Sequence, residues 1–194
     1  GSFNINDGAS NSVLAMADAG QLTLKPAAFD SAQHFNDDGA AFTDRTTEAK
    51  TTQGTAFTVL NTENPSLDVF YMGLDHPFAS VYFDIQTAAV GFSFGTNPSA
   101  VFQYWNGGAW TNLTRATDGT SALTTDGAIT FTAPGDWATT SVNSVTKYWV
   151  RIQGNSQNIT TGPTANSVSP TTGSRLFAYA QAGDTTVPAL FIDD

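Results

Sequence analysis

The stretch Tyr-Trp-Asn-Gly-Gly-Ala-Trp at residues 104–110 is the strongest local signal in this sequence of 194 residues. Asn-Gly between aromatic flanks favours a β-hairpin with a two-residue type I′ loop, because both central residues of that loop must take a positive φ. Such a loop would pair Trp105 with Gly108 and Gln103 with Trp110. The two tryptophans would then be diagonal neighbours on one face of the hairpin, close enough to touch.

Short runs rich in β-branched and aromatic residues continue on both sides of this hairpin, and turn residues separate them every eight to twelve positions. Two of the runs alternate with a period of two, which indicates strands with one buried face. The alternating positions are Phe102 and Tyr104 against Val101, Gln103 and Trp105 in the first run, and Tyr148, Val150 and Ile152 against Trp149 and Arg151 in the second.

The sequence lacks helical periodicity, and its abundant Thr and Val weigh against helices. A helical turn is expected only at 134–138, in Pro-Gly-Asp-Trp-Ala. The remaining runs predict about ten strands, at residues 56–60, 67–74, 80–86, 90–94, 100–105, 110–114, 128–132, 147–153, 175–180 and 187–192.

This pattern predicts an all-β fold: a two-sheet antiparallel sandwich of jelly-roll type with about ten short strands. A closed β-barrel is the alternative. Residues 1–35 show no sustained alternation, and we interpret them as an extended N-terminal arm or a loosely attached edge strand. An ordinary first strand of the sandwich fits them equally well. Residues 36–194 would form a single β-sandwich domain.

The composition narrows the classes of partner. The chain has 17 acidic and 7 basic residues, a net charge of -10, and only 12% charged residues. Such a surface repels phosphate groups, which argues against nucleic acid and anionic membranes as partners. No apolar run approaches the ~20 residues of a membrane span, and no secretion signal is visible. Because cysteine is absent, disulfides and thiolate sites are excluded.

Motifs for catalysis are missing. His34 and His76 are the only histidines, and no nucleophile elbow, zinc-protease motif or phosphate-binding loop is present. We therefore expect no enzymatic activity and no cofactor. A weak Ca²⁺ site is the exception, since Asp37, Asp38 and Asp44 could supply oxygen ligands. Asx-Gly turns are, however, common without a metal.

The aromatic residues have two interpretations. Trp105, Trp110, Trp137 and Trp149, with Tyr148, could stack on sugar rings if their faces were exposed. The favoured interpretation is that the tryptophans cover the sandwich core, because large aromatic side chains dominate the energetics of protein cores.

Four motifs follow one another in the second half of the sequence. They are Tyr-Trp-Asn-Gly-Gly-Ala-Trp-Thr-Asn-Leu at 104–113, Thr-Asp-Gly-Thr at 117–120, Phe-Thr-Ala-Pro-Gly-Asp-Trp-Ala-Thr-Thr-Ser-Val-Asn at 131–143, and Tyr-Trp-Val-Arg at 148–151. Their combined order resembles a recurrent module of tailed-phage structural proteins, over about residues 36–165. The resemblance implies a β-sandwich and a virion context rather than a defined activity.

These observations lead to an expected function: a capsid decoration (cement) protein on the outer surface of the virion, an extracellular particle. Its partners would be the major capsid protein or other virion subunits, and we expect a homo-oligomer. The acidic surface suits the outside of a shell, away from the packaged genome. The alternative is a carbohydrate-binding or host-attachment module of a tail fibre or adhesin. The expected partner-binding residues of the arm are Val13, Leu14, Met16, Leu22 and Leu24.

Overall fold

The computed structural model describes residues 3–6, 12–16, 22–24, 28–36, 40–50, 55–62, 68–94, 100–154, 159–170, 176–178 and 190–192. Within 3–24 and 176–192 it describes the backbone alone. The described residues form one short helix and many strands. The first elements are β1 (Phe3–Asn6), β2 (Ser12–Met16), β3 (Leu22–Leu24), β4 (Ser31–Asn36), β5 (Ala41–Asp44), α1 (Thr46–Lys50), β6 (Phe57–Thr58), β7 (Val69–Leu74) and β8 (Ser80–Thr87).

The second half of the chain continues in strands. These are β9 (Ala100–Trp105), β10 (Trp110–Asn112), β11 (Arg115–Asp118), β12 (Gly127–Phe131), β13 (Thr139–Val142), β14 (Val145–Gly154), β15 (Thr164–Ser169), β16 (Leu176–Ala178) and β17 (Leu190–Ile192). Among the described residues, no helix has the length and apolar content needed to cross a membrane.

Two large sheets form the body of the fold. The seven-stranded sheet has the order β10-β9-β14-β7-β4-β5, with β13 also paired to β14. The five-stranded sheet has the order β11-β12-β8-β15-β6. All pairs of named strands in the described part of the chain are antiparallel, and none joins these two sheets. The predicted all-β two-sheet sandwich is therefore confirmed, and the closed barrel is wrong.

The main core lies between the two sheets. Every second residue of β9 is buried, so the predicted alternation of Phe102 and Tyr104 against Gln103 is confirmed. The same holds for Val150 and Ile152, which belong to this core. Side chains from both sheets contribute to it, among them Phe70, Met72, Leu74, Phe102, Val150 and Ile152 from one sheet and Val81, Phe83, Ile129, Phe131, Ala165 and Val168 from the other.

The expected arm is shorter than the sequence indicates. Residues 31–35 belong to β4, which lies between β7 and β5 inside the seven-stranded sheet. Phe29 is part of the main core, with 1% of its surface exposed. Residues 28–35 are therefore part of the sandwich. Both faces of β4 are covered, so its sequence, Ser-Ala-Gln-His-Phe-Asn, lacks the alternation that marks a half-buried strand.

The earlier residues form a separate sheet rather than an extended segment. Strands β1, β2 and β3 pair in order as an antiparallel meander, which we call the N-terminal meander. Residues 134–138 form a turn with a hydrogen bond from the Trp137 amide to the Pro134 carbonyl (3.3 Å). The helix of the described residues lies instead at Thr46–Lys50, where the Asp44 carboxylate accepts a hydrogen bond from the Thr46 amide (2.9 Å).

The hairpin at 104–110 forms, but its predicted loop is wrong. Trp105 pairs directly with Trp110, so the loop has four residues rather than two. The Asn106 side-chain oxygen accepts hydrogen bonds from the amides of Gly108 and Ala109 (3.0 and 2.8 Å), which stabilises the wider turn. A two-residue loop with two positive φ values occurs instead between β13 and β14, at Asn143 (46°) and Ser144 (66°).

The seven-stranded sheet is also covered on part of its outer face. Trp149 is fully buried there, and its indole nitrogen donates a hydrogen bond to the Thr140 carbonyl (2.9 Å). Trp149 pairs across the strands with Gly73, and the absence of a side chain at Gly73 leaves room for the indole. The outer cluster consists of Val69, Tyr71, Val142 and Trp149, with Phe35, Trp110 and Val145 packed against it.

Replacing Gly73 with Ala should destabilise the fold. The added Cβ would lie 2.6 Å from Cε3 of Trp149, so the ring or the strand must shift. We expect a loss of about 1–3 kcal/mol in the free energy of unfolding, the usual cost of overpacking. Urea denaturation measures this change.

The matched control is Gly135→Ala. A Cβ at Gly135 would meet no atom within 4 Å. We expect its effect to stay within about 0.5 kcal/mol. Equal stability of the Gly73→Ala variant and the unmodified protein would contradict this account of the outer face.

Candidate functional site

A row of polar side chains crosses the outer face of the seven-stranded sheet. Each member lies directly opposite the next across successive strands, because the register of five strand pairs is in phase. We call this set the polar row. In order from β10 to β5 it contains Asn112, Gln103, Arg151, Tyr71, Gln33 and Asp44.

Hydrogen bonds connect members of the polar row. The Arg151 guanidinium donates from Nε and Nη2 to the Gln103 side-chain oxygen (2.9 and 2.7 Å) and from Nη2 to that of Gln153 (2.7 Å). Gln103 Nε2 donates to Asn112 Oδ1 (3.0 Å). These bonds hold the planar groups of the row in fixed orientations.

The middle of the row, at Tyr71 and Gln33, is covered. Asn143, in the turn between β13 and β14, donates from Nδ2 to Gln33 Oε1 (2.9 Å). Burial raises the pKa of the Tyr71 phenol, an effect that Arg151 opposes. Gln33 is 1% exposed and Tyr71 is 7% exposed. The middle of the row is therefore covered, and its two ends, at Asn112 on β10 and Asp44 on β5, are exposed.

Two tryptophans lie beside the β10 end of the row. Trp105 and Trp110 pack edge to face, with ring centroids 5.6 Å apart and an interplanar angle of 69°. The Arg151 guanidinium carbon lies 4.2 Å from the Trp110 ring centroid, within the range of a cation–π contact. Asn112 is exposed, and the side chains of Gln103, Trp105, Trp110 and Arg151 are partly exposed. We define the Trp–Arg patch as Trp105, Trp110, Arg151, Gln103 and Asn112.

Arg151 carries a charge that no described carboxylate neutralises. The ion pairs of the described residues include Arg45–Glu48 and Arg115–Asp118, and none of them involves Arg151. Its hydrogen-bond acceptors are the amide oxygens of Gln103 and Gln153 and the Tyr71 hydroxyl. Burial lowers the pKa of the Arg151 guanidinium, although arginine remains protonated at neutral pH. The patch is thus a site of positive potential on an acidic protein.

Arg115 provides an internal comparison. Its guanidinium carbon lies 4.4 Å from the Phe94 ring centroid, and burial also lowers its pKa. However, Nη1 of Arg115 lies 3.3 Å from the Asp118 carboxylate, and Nη2 donates to the Phe94 carbonyl (2.7 Å). The two arginines therefore share an aromatic contact and differ in their counter-ion.

The four tryptophans proposed for glycan stacking differ in exposure: two are buried and two are partly exposed. Trp149 is fully buried, and Trp137 is 7% exposed in a cluster with Phe78, Phe131 and Tyr148. For these two tryptophans the stacking proposal is wrong, because their ring faces pack against protein. Trp105 and Trp110 remain partly exposed.

The structure describes only one of the three proposed Ca²⁺ ligands, Asp44. Asp37 and Asp38 lie outside the described residues, in the connection between β4 and β5. Asp44 lies at the far end of β5, three residues beyond Ala41, which corresponds to about 10 Å along a strand. Hydrogen bonds from Thr46 and Gln33 outweigh the partial burial of Asp44 and lower its pKa. Among the described residues, no group of three or more potential metal ligands occurs.

The expected partner-binding residues lie in the N-terminal meander. Directly paired residues share a face, and residues alternate along a strand. The register therefore places four of the five expected residues, all except Val13, on one face and Ala15 on the other. Val13 lies at an irregularity of the β1–β2 register and has no paired residue there. The face shared by those four carries six apolar positions: Phe3, Ile5, Leu14, Met16, Leu22 and Leu24.

His34 belongs to the interior rather than to an accessible site. It is 3% exposed, and Nε2 lies 4.0 Å from Oδ2 of Asp68, which is 1% exposed. Nε2 finds no hydrogen-bond partner among the described residues. Burial lowers the pKa of His34, while the Asp68 charge opposes this effect and the Arg45 charge adds to it. His76 lies on the surface beside Asp75, in a bend as expected.

Comparison with known proteins provides no relative. No model of a protein family matches the sequence, and no curated protein matches it significantly. The candidate site therefore rests on its geometry. The sequence alone predicts both tryptophans of the patch as candidate site residues, but not the polar row. The available signal is that Gln103 shares a strand face with Trp105, and Arg151 with Trp149.

The buried His34 should make the fold sensitive to acid. Because its folded-state pKa lies below 6.5, the unfolded chain binds a proton more readily. Stability from this group is therefore present above pH 6.5 and is lost as the pH falls below it. The loss is at most about 1.4 kcal/mol per pH unit. Urea denaturation from about pH 7 to about pH 5 measures it.

The variant His34→Gln should show a shallower pH dependence than the unmodified protein, even if it is less stable overall. His76→Gln is the control, because 68% of the His76 side chain is exposed. The control should keep the original slope. Identical slopes for His34→Gln and the unmodified protein would refute the assignment.

Proposed function

We propose that this chain is a non-enzymatic structural protein of a tailed-phage virion, bound as a decoration protein to the outer surface of the capsid. Its partners would be subunits of the major capsid protein and further copies of itself. The order of four motifs in residues 104–151, which resembles a phage structural module, supports this context. The β-sandwich fold agrees with that resemblance.

The N-terminal meander is the observation that carries the decoration role. Its three strands form a sheet of their own, and the register gathers six apolar positions on one face. A three-stranded sheet of this size needs a hydrophobic surface against that face. A shell subunit would supply the surface, and burial of each leucine would contribute about 1.5–3 kcal/mol.

Decoration would stabilise the particle by binding its assembled state. A ligand that binds only the assembled shell shifts the equilibrium towards it. Several copies bound as a homo-oligomer would add their contacts, so that weak single sites sum to firm attachment. The net charge of -10 favours the outer surface, where the chain avoids the phosphates of the packaged genome.

A carbohydrate-binding or host-attachment module of a tail fibre or adhesin is the second candidate. The Trp–Arg patch supports it, since two partly exposed indoles lie beside fixed amide and guanidinium groups. The two roles use different residues. A protein on the outside of a particle could serve both.

The substitution Leu14→Ser should weaken capsid binding. Leu14 lies on the apolar face of the N-terminal meander, whereas the neighbouring Ala15 lies on the other face. We expect Leu14→Ser to raise the dissociation constant at least about tenfold, which corresponds to the loss of about 1.4 kcal/mol. Co-sedimentation with capsids assembled from the major capsid protein of the same genome measures the binding.

Ala15→Ser is the matched control and should change binding less than about threefold. Both variants should unfold at the same temperature as the unmodified protein. Equal loss of binding in the two variants would contradict the assignment of the docking face. A lower unfolding temperature for Leu14→Ser alone would show that this face packs within its own chain, and would also contradict the proposal.

A further inference from the structure

We infer that the Trp–Arg patch binds a carboxylated sugar, with an indole under the sugar ring and the Arg151 guanidinium paired to the carboxylate. This inference rests on the carbohydrate-binding candidate and does not depend on the decoration role. It assigns a ligand class to a defined set of residues on β9, β10 and β14.

The shape and chemistry of the patch suit a sugar. A pyranose presents C–H groups on its face and hydroxyl groups at its edge. The Trp105 and Trp110 indoles offer apolar surface that is only partly buried. Beside them, Gln103 and Asn112 present amide groups whose orientation a hydrogen bond fixes (3.0 Å). A binding site with apolar surface and a few positioned polar groups is the usual form for small ligands.

Arg151 adds the preference for a negative charge. Its guanidinium lies 4.2 Å from the Trp110 ring centroid, and the side-chain oxygens of Gln103 and Gln153 hold it in place. None of the ion pairs among the described residues involves it, in contrast to Arg115 with Asp118. Hydrogen bonds between a guanidinium and a carboxylate are strong because both groups are charged. Since Nε and Nη2 of Arg151 already donate to Gln103 and Gln153, a ligand carboxylate would accept from Nη1. A uronic or sialic acid would provide the missing counter-ion.

The Arg151 side chain is held in place by its neighbours. Trp149 packs over Gly73 on the same outer face, and Tyr71 lies next to Arg151 in the polar row. The Arg151 side chain is therefore already ordered before a ligand arrives. An ordered arginine loses less conformational entropy on binding than a mobile one.

The polar character of the patch favours a sugar over a protein partner. Tryptophan and arginine are frequent in protein interfaces as well, where apolar surface forms a dry centre. Here the tryptophans lie at the margin of a hydrogen-bonded polar row instead. A second copy of the chain is the competing occupant, and the experiment includes it as an outcome.

The test uses the full chain and a panel of immobilised glycans. The panel contains galacturonic acid oligomers, alginate oligomers and sialyllactose, each beside the same glycan with its carboxyl groups converted to methyl esters. We expect binding to at least one acidic glycan and at least about tenfold weaker binding to its ester. The ester removes the negative charge and adds one methyl group to each carboxyl group.

Two arginine variants provide the matched control. Arg151→Gln should weaken binding to the acidic glycan at least about tenfold, and Arg115→Gln should leave it unchanged. Trp105→Ala should weaken binding to both the acid and the ester, because the ring contact does not depend on charge. Near-ultraviolet circular dichroism of each variant checks that the fold is retained.

Three results would overturn the inference. Equal binding of acid and ester would remove the role of the charge while leaving carbohydrate binding intact. Failure of the whole panel to bind at millimolar concentration would overturn both the inference and the carbohydrate-binding candidate. Self-association that Arg151→Gln abolishes, measured by sedimentation equilibrium, would assign the patch to an interface between copies.

Discussion

The packing of the Trp149 indole against Gly73 is the contact on which the outer face of the seven-stranded sheet depends. A fully buried indole occupies the space that a side chain at Gly73 would fill. The turn between β13 and β14 lies over the same face and bonds to Gln33. Strands β7 and β14 are consequently packed on both faces, as in the interior of a larger protein. The accessible parts of the outer face are thereby its β9–β10 side and the edge strand β5.

This constraint explains why one charged group stands out. Arg151 lies on β14 where the covered and the accessible parts of the outer face meet. The covered part orders its side chain, and the accessible part opens it to a ligand. Arg115 lies on an edge strand of the other sheet with Asp118 as its counter-ion. The sandwich thus provides one positioned cation, and the N-terminal meander provides an apolar face formed by its own register.

The sequence predicted the features that depend on local periodicity. The alternation in β9 was confirmed residue by residue, because one face of the strand enters the main core. In β14, Val150 and Ile152 enter the core as predicted, but Trp149 on the other face is buried as well. Strand β4 was missed, since burial on both faces removes the alternating pattern. The loop at 106–109 was assigned to the wrong turn type, because the hydrogen bonds of the Asn106 side chain favour a wider turn. The polar row follows from the registers of five strand pairs, which a single sequence does not specify.

A cryo-EM reconstruction of the virion that contains this chain tests the central claim most directly. The account predicts one β-sandwich density per binding site on the outer surface of the capsid, with the apolar face of the N-terminal meander against a shell subunit. The accessible side of the Trp–Arg patch would face solvent. Sandwich density inside the shell, or on the capsid with the meander directed away from it, would contradict the account.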